Sequence, residues 1–336
     1  VKLLVINHAE VEELLPMREC VEVMARALSS LARGEFHQPL RTVVRPEGAA
    51  GLMGLMPAYR SGGDAHGGNE TGAAFGLKAI CVFPGNSARG MDAHQGFVAI
   101  FDGGTGEPRA LLNASAITAV RTAAVSAVAT RLLAREDARE LAIIGAGVQA
   151  RAHLEALACV REIKRARVAA RRYESARMFA DEARAKYAFT IDACETAEEA
   201  VRGAGLIVTA TSAREPVVRR EWIGAGAHLN AVGTFSPQSR EIDSETVAAS
   251  SLFVDRRESA LKESGDVMIP VREGLIGEGH IRAEIGEVLI GARPGRTSRE
   301  EITLFKSLGL AVEDLAAAQH VYARARERAV GTWIEF

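Results

Sequence analysis

The stretch Leu141-Ala142-Ile143-Ile144-Gly145-Ala146-Gly147-Val148-Gln149-Ala150 runs from four apolar residues directly into a turn with two glycines. Consecutive apolar residues suit a strand buried on both faces of a sheet, and helical spacing resumes after the turn. Gly145 permits the tight turn, Gly147 lets the backbone come close to a pyrophosphate, and Ala150 is small enough for helix and strand to pack closely. The N-terminus of the helix that follows the turn presents N–H groups to phosphate oxygens. A Gly-x-Gly-x-x-Ala run is weak evidence alone, because glycine-rich turns are common. With a strand before it, a helix after it and a regular alternation beyond, it reads as a dinucleotide site.

That alternation fills the middle of the chain. Apolar runs at 141–145, 166–170, 189–191, 206–210, 228–232 and 252–255 read as strands, with helices at 149–160, 174–186, 197–202 and 219–223. Strands separated by helices imply a parallel, doubly wound Rossmann sheet. Upstream, 1–8 reads as a strand, 16–33 as a helix, and 41–45, 51–57, 76–83 and 96–101 as short strands, with the glycine-rich 61–76 as a loop. The Ala-rich 118–134 and the segment 313–329 read as long helices, the second able to return to the first domain. The expected fold is α/β, a Rossmann domain (119–309) inserted in an α+β substrate-binding and dimerisation domain (1–118 plus 310–336).

A chain of 336 residues suits about two domains. A formal net charge of −2 gives no electrostatic reason to expect nucleic acid or an anionic membrane as partner, and 5% aromatic residues leave little for a stacking surface. No apolar run is seen to reach the roughly 18 residues that a membrane span needs. Cys20, Cys81, Cys159 and Cys194 stand far apart with no C-x-x-C pair and read as reduced thiols. The run 1–8 lacks the basic lead and cleavage site of a signal peptide, so a cytoplasmic location is expected. No histidine pair has H-x-x-x-H or H-E-x-x-H spacing, and no metal site is expected.

The end of the second Rossmann strand bears on which dinucleotide binds. A free ribose 2′-hydroxyl is met by Asp or Glu there, and a 2′-phosphate by Arg. The sequence reads Val168-Ala169-Ala170-Arg171-Arg172-Tyr173, with no acid before Glu174. Arg171, with Arg172 beside it, therefore favours NADP(H), with NAD(H) the other possibility. Two arginines on a surface turn are also often plain solvated charge.

Several further motifs occur in order along the chain. They are Gly76-Leu77-Lys78, Phe83-Pro84-Gly85-Asn86, Arg121-Thr122-Ala123-Ala124-Val125-Ser126-Ala127, Lys262-Glu263-Ser264-Gly265-Asp266 and Phe305-Lys306-Ser307-Leu308-Gly309. With the glycine-rich turn, they resemble the ornithine cyclodeaminase/mu-crystallin family from about Gln38 to Asp314. Gln38-Pro39 with Arg41-Thr42-Val43-Val44, and Asn230-Ala231-Val232-Gly233, are most similar to its ketimine reductase branch. The resemblance implies a homodimer joined through the non-Rossmann domain and a substrate carboxylate held by Arg41, Lys78 and Arg121, with Leu308 also at the substrate. Side-chain chemistry agrees: guanidinium pairs bidentately with carboxylate, and a partly desolvated lysine can exchange a proton. Taken alone, Arg41 reads equally as surface charge, Lys78 as an edge-strand lysine and Arg121 as a solvated helix residue. His94, in Asp92-Ala93-His94-Gln95-Gly96, lies where the family approaches substrate and nicotinamide, and is also readable as an ordinary loop histidine. Motif and resemblance together place Thr122, Gly145, Gly147, Val148, Gln149, Arg171, Arg172, Thr211, Ser212, Val232, Gly233 and Ser307 at the cofactor.

One departure from the family selects among its activities. Cyclodeaminases carry an aspartate shortly after the Val-Gly pair; here Val232-Gly233-Thr234-Phe235-Ser236-Pro237 places Phe235 at that position. Phenylalanine cannot carry a proton, and Glu241 and Asp243 lie too far along the chain to substitute without a loop shift. The expected function is thus NADPH-dependent reduction of a small cyclic α-imino acid, such as Δ1-pyrroline-2-carboxylate or Δ1-piperideine-2-carboxylate. Ornithine cyclodeaminase, an amino-acid dehydrogenase working on an open-chain keto acid and ammonia, and a non-catalytic NADPH-binding protein are the alternatives. Turnover separates enzyme from binder.

Overall fold

From the N-terminus the chain forms β1 (Lys2–Ile6), α1 (His8–Leu14), α2 (Met17–Ala32), β2 (Phe36–His37), β3 (Thr42–Val44) and β4 (Leu52–Arg60). It continues through β5 (Ala74–Val82), β6 (His94–Asp102), β7 (Pro108–Asn113) and the long α3 (Ala114–Leu133). The alternating part follows: β8 (Glu140–Ile144), α4 (Val148–Val160), β9 (Arg165–Ala169), α5 (Tyr173–Arg184), β10 (Thr190–Cys194), α6 (Ala197–Val201), β11 (Leu206–Thr209) and β12 (His228–Ala231). Beyond it come α7 (Ser244–Ala249), β13 (Ser251–Val254), α8 (Arg257–Glu263), α9 (Gly265–Arg272), β14 (Ile281–Glu284), α10 (Ile285–Leu289) and β15 (Thr303–Lys306). The chain closes with α11 (Ala311–Arg328) and β16 (Thr332–Glu335). This computed structural model describes residues 1–62 and 72–336. Most of the loop expected over 61–76 lies outside them, and its last residues belong to β5.

Two units result: Val1–Arg121 with Gly309–Phe336, and Thr122–Leu308. The second unit is an all-parallel sheet of order β10-β9-β8-β11-β12-β15-β13-β14. Alternate residues of β8 serve opposite cores. Leu141 and Ile143 pack with Leu154, Leu157 and Phe179, whereas Ala142 and Ile144 pack with Ile207, Leu229 and Val254. A sheet covered on both faces is the doubly wound arrangement, and its strand order reverses between β8 and β11, where dinucleotides bind in such folds. The first unit is a mixed sheet, β16-β1-β7-β6-β5-β4-β2 with β3 beside β4; β1 and β7 are parallel and the remaining pairs antiparallel. Helix α11 lies on β5, where Gly76 leaves room for Leu315; a Cβ there would come within 2.8 Å of Leu315 Cδ1.

Several elements differ from expectation for local reasons. Helix α3 starts at Ala114, earlier than 118, because Asn113 Oδ1 accepts the N–H of Ala116 at 3.0 Å. Its last carbonyls are also satisfied: the Arg161 guanidinium donates to Thr130, Arg131 and Ala134, and Arg296 Nε to Leu133. Helix α3 corrects the membrane reading as well. It is long and apolar enough to cross a membrane by length and composition, with 67% of its most apolar window buried inside the fold. The segment 219–223 forms only a 3-10 turn, Arg220–Trp222. Strand β15 was missed because Thr303-Leu304-Phe305-Lys306 is four residues long and ends in lysine; it is nevertheless buried between β12 and β13. No disulfide joins Cys20, Cys81, Cys159 or Cys194.

Candidate active site

In the second unit, the turn after β8 fits a dinucleotide on three observations. Gly145 has φ +122°, and any Cβ there would run into the Ala210 carbonyl oxygen. Gly147 caps α4 with no side-chain hydrogen bond and has open space on its Cβ side, so a ligand can approach the backbone and the helix N-terminus. Thr122 Oγ1 is buried without a hydrogen-bond partner. Val148 is exposed, Gln149 lies in the first turn of α4, and Arg171 and Arg172 are exposed between β9 and α5. Helix α4 is itself fixed from behind. His153 Nδ1 is 2.7 Å from the Gln149 carbonyl and Nε2 is 2.9 Å from Ser126 Oγ. Burial drives the His153 pKa down to about 4, so the ring is neutral.

The ends of β11 and β12 are tied by a carboxylate that the sequence reading had set aside as too distant. Glu241 folds back and is fully buried. It accepts hydrogen bonds from Thr209 Oγ1 at 3.0 Å, Thr211 N at 2.7 Å, Thr211 Oγ1 at 2.8 Å and Gly233 N at 2.6 Å. Glu241 is thus near Gly233 in space but committed to four donors, so it does not replace the missing cyclodeaminase aspartate. Burial raises its pKa. Gly233 must be glycine because a Cβ would collide with the Thr211 backbone. Asp266, of the Ser-Gly-Asp motif, accepts from the N–H groups of Glu241 and Ile242, Thr234 Oγ1 and Lys306 Nζ. Val232 donates to the Thr209 carbonyl, Ser212 is exposed just beyond Thr211, and Phe235 is half-exposed. Ser307 Oγ and the N–H of Leu308 point to Asp255 Oδ2. The Leu308 side chain, expected at the substrate, packs in the apolar cluster of this unit.

The first unit brings Arg41, Lys78, Arg121 and His94 into one cluster. Lys78, on β5, is 3% exposed, and Arg121, on α3, is 4% exposed. Both reach the same oxygen: Asp314 Oδ1 lies 3.0 Å from Lys78 Nζ and 3.0 Å from Arg121 Nε. Arg121 also donates to Glu313 Oε2 at 2.6 Å. Arg41 donates to the Gly309 carbonyl at 2.9 Å. Gly309 has φ +75°, and a Cβ there would strike the Arg121 guanidinium, which accounts for the glycine closing the Ser-Leu-Gly motif. Gln38 Oε1 accepts the N–H of Val312 at 3.0 Å, capping α11 where these acids stand. Burial, offset by Asp314 and reinforced by Arg121 and Arg41, lowers the Lys78 pKa to about 8. Burial, with Lys78 and Arg121 nearby, lowers that of His94.

Sequence reasoning missed Asp314 and Glu313. Their signal was two adjacent acids at the start of a helix otherwise packed against the sheet, a position that reads first as favourable helix-end charge.

Comparison with known proteins gives the same picture along the whole chain. The family model described as ornithine cyclodeaminase/mu-crystallin matches residues 1–329. Ketimine reductase mu-crystallin of Mus musculus is 41% identical over 299 residues, 88% of each chain. The structure of Thermococcus litoralis Δ1-pyrroline-2-carboxylate reductase in complex with NADH and L-proline is 42% identical, with a TM-score of 0.93 over 98% of this chain and 99% of the other. An archaeal alanine dehydrogenase, solved as a dimer with bound NAD, is 33% identical with a TM-score of 0.91 over the full length of both.

Proposed function

The chain belongs to the ornithine cyclodeaminase/mu-crystallin family, and from that premise we propose that it is a ketimine reductase. Its substrate is a small cyclic α-imino acid, Δ1-pyrroline-2-carboxylate or Δ1-piperideine-2-carboxylate, reduced to proline or pipecolate. The observation that carries the reading is the cluster of charges in the first unit. Among the described residues, Arg41, Lys78 and Arg121 set three cations beside the carboxylates of Glu313 and Asp314, an arrangement suited to receiving a substrate carboxylate. The relatives named for Δ1-pyrroline-2-carboxylate and ketimine reduction support the same substrate class.

Arg41 and Arg121 hold the substrate carboxylate, and Lys78 carries an exchangeable proton beside it. The bound dinucleotide supplies the hydride that the imine carbon receives. Gly145, Gly147, Val148, Gln149, Thr122, Thr211 and Gly233 would hold it. Arg171, at the end of a β9 that offers no acid, favours NADP(H) over NAD(H). Phe235 and the four-fold commitment of Glu241 argue against cyclodeamination.

A two-fold dimer through the first unit completes the proposal. Its support is an apolar sheet face left exposed by Val44, Met53, Phe75 and Phe97, together with the dimeric archaeal relative. The reading is tested by following NADPH oxidation with cyclic imines, pyruvate plus ammonia, and ornithine as separate substrates. Turnover confined to the cyclic imines is expected; none with any cyclic imine would reject the reading. Light scattering at micromolar concentration checks the dimer, and a monomer would reject it.

A further inference from the structure

A single carboxylate oxygen serves two of the three proposed substrate-binding cations. Asp314 Oδ1 bridges Lys78 Nζ and Arg121 Nε, while Asp314 Oδ2 is buried without a hydrogen-bond partner. Its neighbour Glu313 is used otherwise, by Arg121 and by the N–H of Leu310 at the helix end. We propose that Asp314 is a positioning residue that holds Lys78 beside Arg121 and keeps it an ammonium, the group that gives the imine nitrogen its proton. The inference rests on the ketimine reductase reading.

The surroundings of Lys78 make the dependence concrete. Arg121 faces it from α3, Arg41 from the segment before β3 and His94 from β6; among the described residues the acids here are Asp314 of α11, in contact with Lys78, and Glu313, in contact with Arg121. Cys20 of α2 lies on the Arg121 and Glu313 side and is held as a thiol by burial. Without Asp314, burial and two cations would all favour a neutral amine. With it, the ammonium persists near neutral pH yet gives up its proton readily. In the reaction, the C=N double bond gains a hydride at carbon and the Lys78 proton at nitrogen. The product is the saturated secondary amino acid, and the neutral Lys78 amine recovers its proton from water.

Turnover with Δ1-pyrroline-2-carboxylate, measured against pH at saturating NADPH, tests this in the wild type, Asp314→Asn and Arg121→Gln. Direct titration of Lys78 by 15N NMR of lysine-labelled protein, its signal identified by loss in Lys78→Arg, supplies a readout besides activity. Removing an opposite charge at this range should move the alkaline limb down by about one pH unit or more in Asp314→Asn. Removing a like charge should move it up in Arg121→Gln, and the Lys78 resonance should follow both. A purely structural role would lower turnover at every pH without moving the limb. An unmoved limb and an unmoved Lys78 titration in Asp314→Asn overturn the proposal. Should that variant fail to fold, an Arg121→Gln limb that stays or moves down overturns it instead. Wild-type protein with no cyclic-imine turnover rejects the underlying reading, whereas normal wild-type turnover with unmoved limbs rejects only the role of Asp314.

Discussion

Lys78 and Lys306 are both buried on strands, and each contacts an aspartate, at 3.0 and 2.9 Å, but the two aspartates are served very differently. Asp266 has both oxygens filled: Oδ1 by the N–H groups of Glu241 and Ile242, Oδ2 by Thr234 Oγ1 and Lys306. Lys306 spends a further bond on the Thr234 carbonyl at 2.7 Å, and adjacent Glu241 takes four more donors. Asp314 is shared by two cations on one oxygen and has nothing on the other. The carboxylates of the second unit's cluster are saturated; in the first unit, among the described residues, three cations stand beside two carboxylates and one Asp314 oxygen is unfilled. Satisfied buried charges lock a fold, and unsatisfied ones await a ligand. The same residue types therefore do two jobs, told apart by their unspent hydrogen-bonding capacity.

The largest effect that could break this contrast is catalytic. Lys78→Ala is expected to lower turnover on the best cyclic imine by a factor on the order of 10²–10⁴, the usual worth of a positioned proton donor. NADPH affinity, read by fluorescence titration, should change less than about twofold, because the residue acts on the reacting substrate. Near-full turnover in this variant would mean that the cation cluster is not the active site.

Lys306→Met probes the other cluster, with stability as its readout. It leaves Asp266 and Glu241 buried with no cation, which typically costs about 3–5 kcal/mol. Lys78→Ala should cost much less, because Asp314 keeps Arg121 at 3.0 Å. Urea unfolding of the two variants side by side measures the difference. Equal losses would erase the distinction between lock and receptor.

A third test separates the regions by pH. His153 and His228, both in the second unit, have their pKa values lowered by burial to about 4 and about 3. A histidine with a depressed folded pKa contributes stability that is present above its unfolded pKa near 6.5 and lost as pH falls toward the folded value. Between about pH 6.5 and pH 5 each should take away roughly 2 kcal/mol. Lys78, in the first unit, has its pKa lowered to about 8, and its proposed role would set the alkaline side of the activity profile instead. Unfolding free energies of wild type and His153→Gln across this range check the claim; the variant should show a slope smaller by about one proton. Parallel slopes would remove His153 from the account.

How much of this was legible beforehand follows the same division. The glycine-rich turn and the strand–helix alternation announced the second unit because backbone constraint and burial on both faces write directly into residue type. Lys78 was visible as a charge inside an apolar strand. Asp314 was not, because its partner lies 236 positions away and nothing local distinguishes it from ordinary helix-end charge. Glu241 was misjudged for the converse reason: eight positions past Gly233, it returns to it through a loop whose course depends on Asp266 and Lys306. Strand β15, short and ending in a lysine, became a strand only through its neighbours. Periodicity records burial, but it does not record which buried charges meet.

The smallest expected effect tests whether ligand recognition at the edge of the second unit is independent of its locked interior. Arg171 is exposed between β9 and α5, remote in sequence from Glu241, Asp266 and Lys306. Its proposed contact is with the 2′-phosphate of NADPH, a charge-assisted interaction that would be worth more if desolvated. Exposure and salt screening reduce such a pair to about 1 kcal/mol, or about a fivefold preference for NADPH over NADH at moderate ionic strength. Arg171→Asp should reverse the preference, because the carboxylate repels the phosphate and can accept from a free ribose hydroxyl. Raising the salt should shrink the wild-type preference and leave NADH binding nearly constant. The urea midpoint of the variant should match wild type, since no member of the buried network is touched. Fluorescence titrations with both dinucleotides at low and high salt decide it. Tighter NADH binding in the wild type would remove Arg171 from the cofactor site, and a preference indifferent to salt would show that charge is not its source.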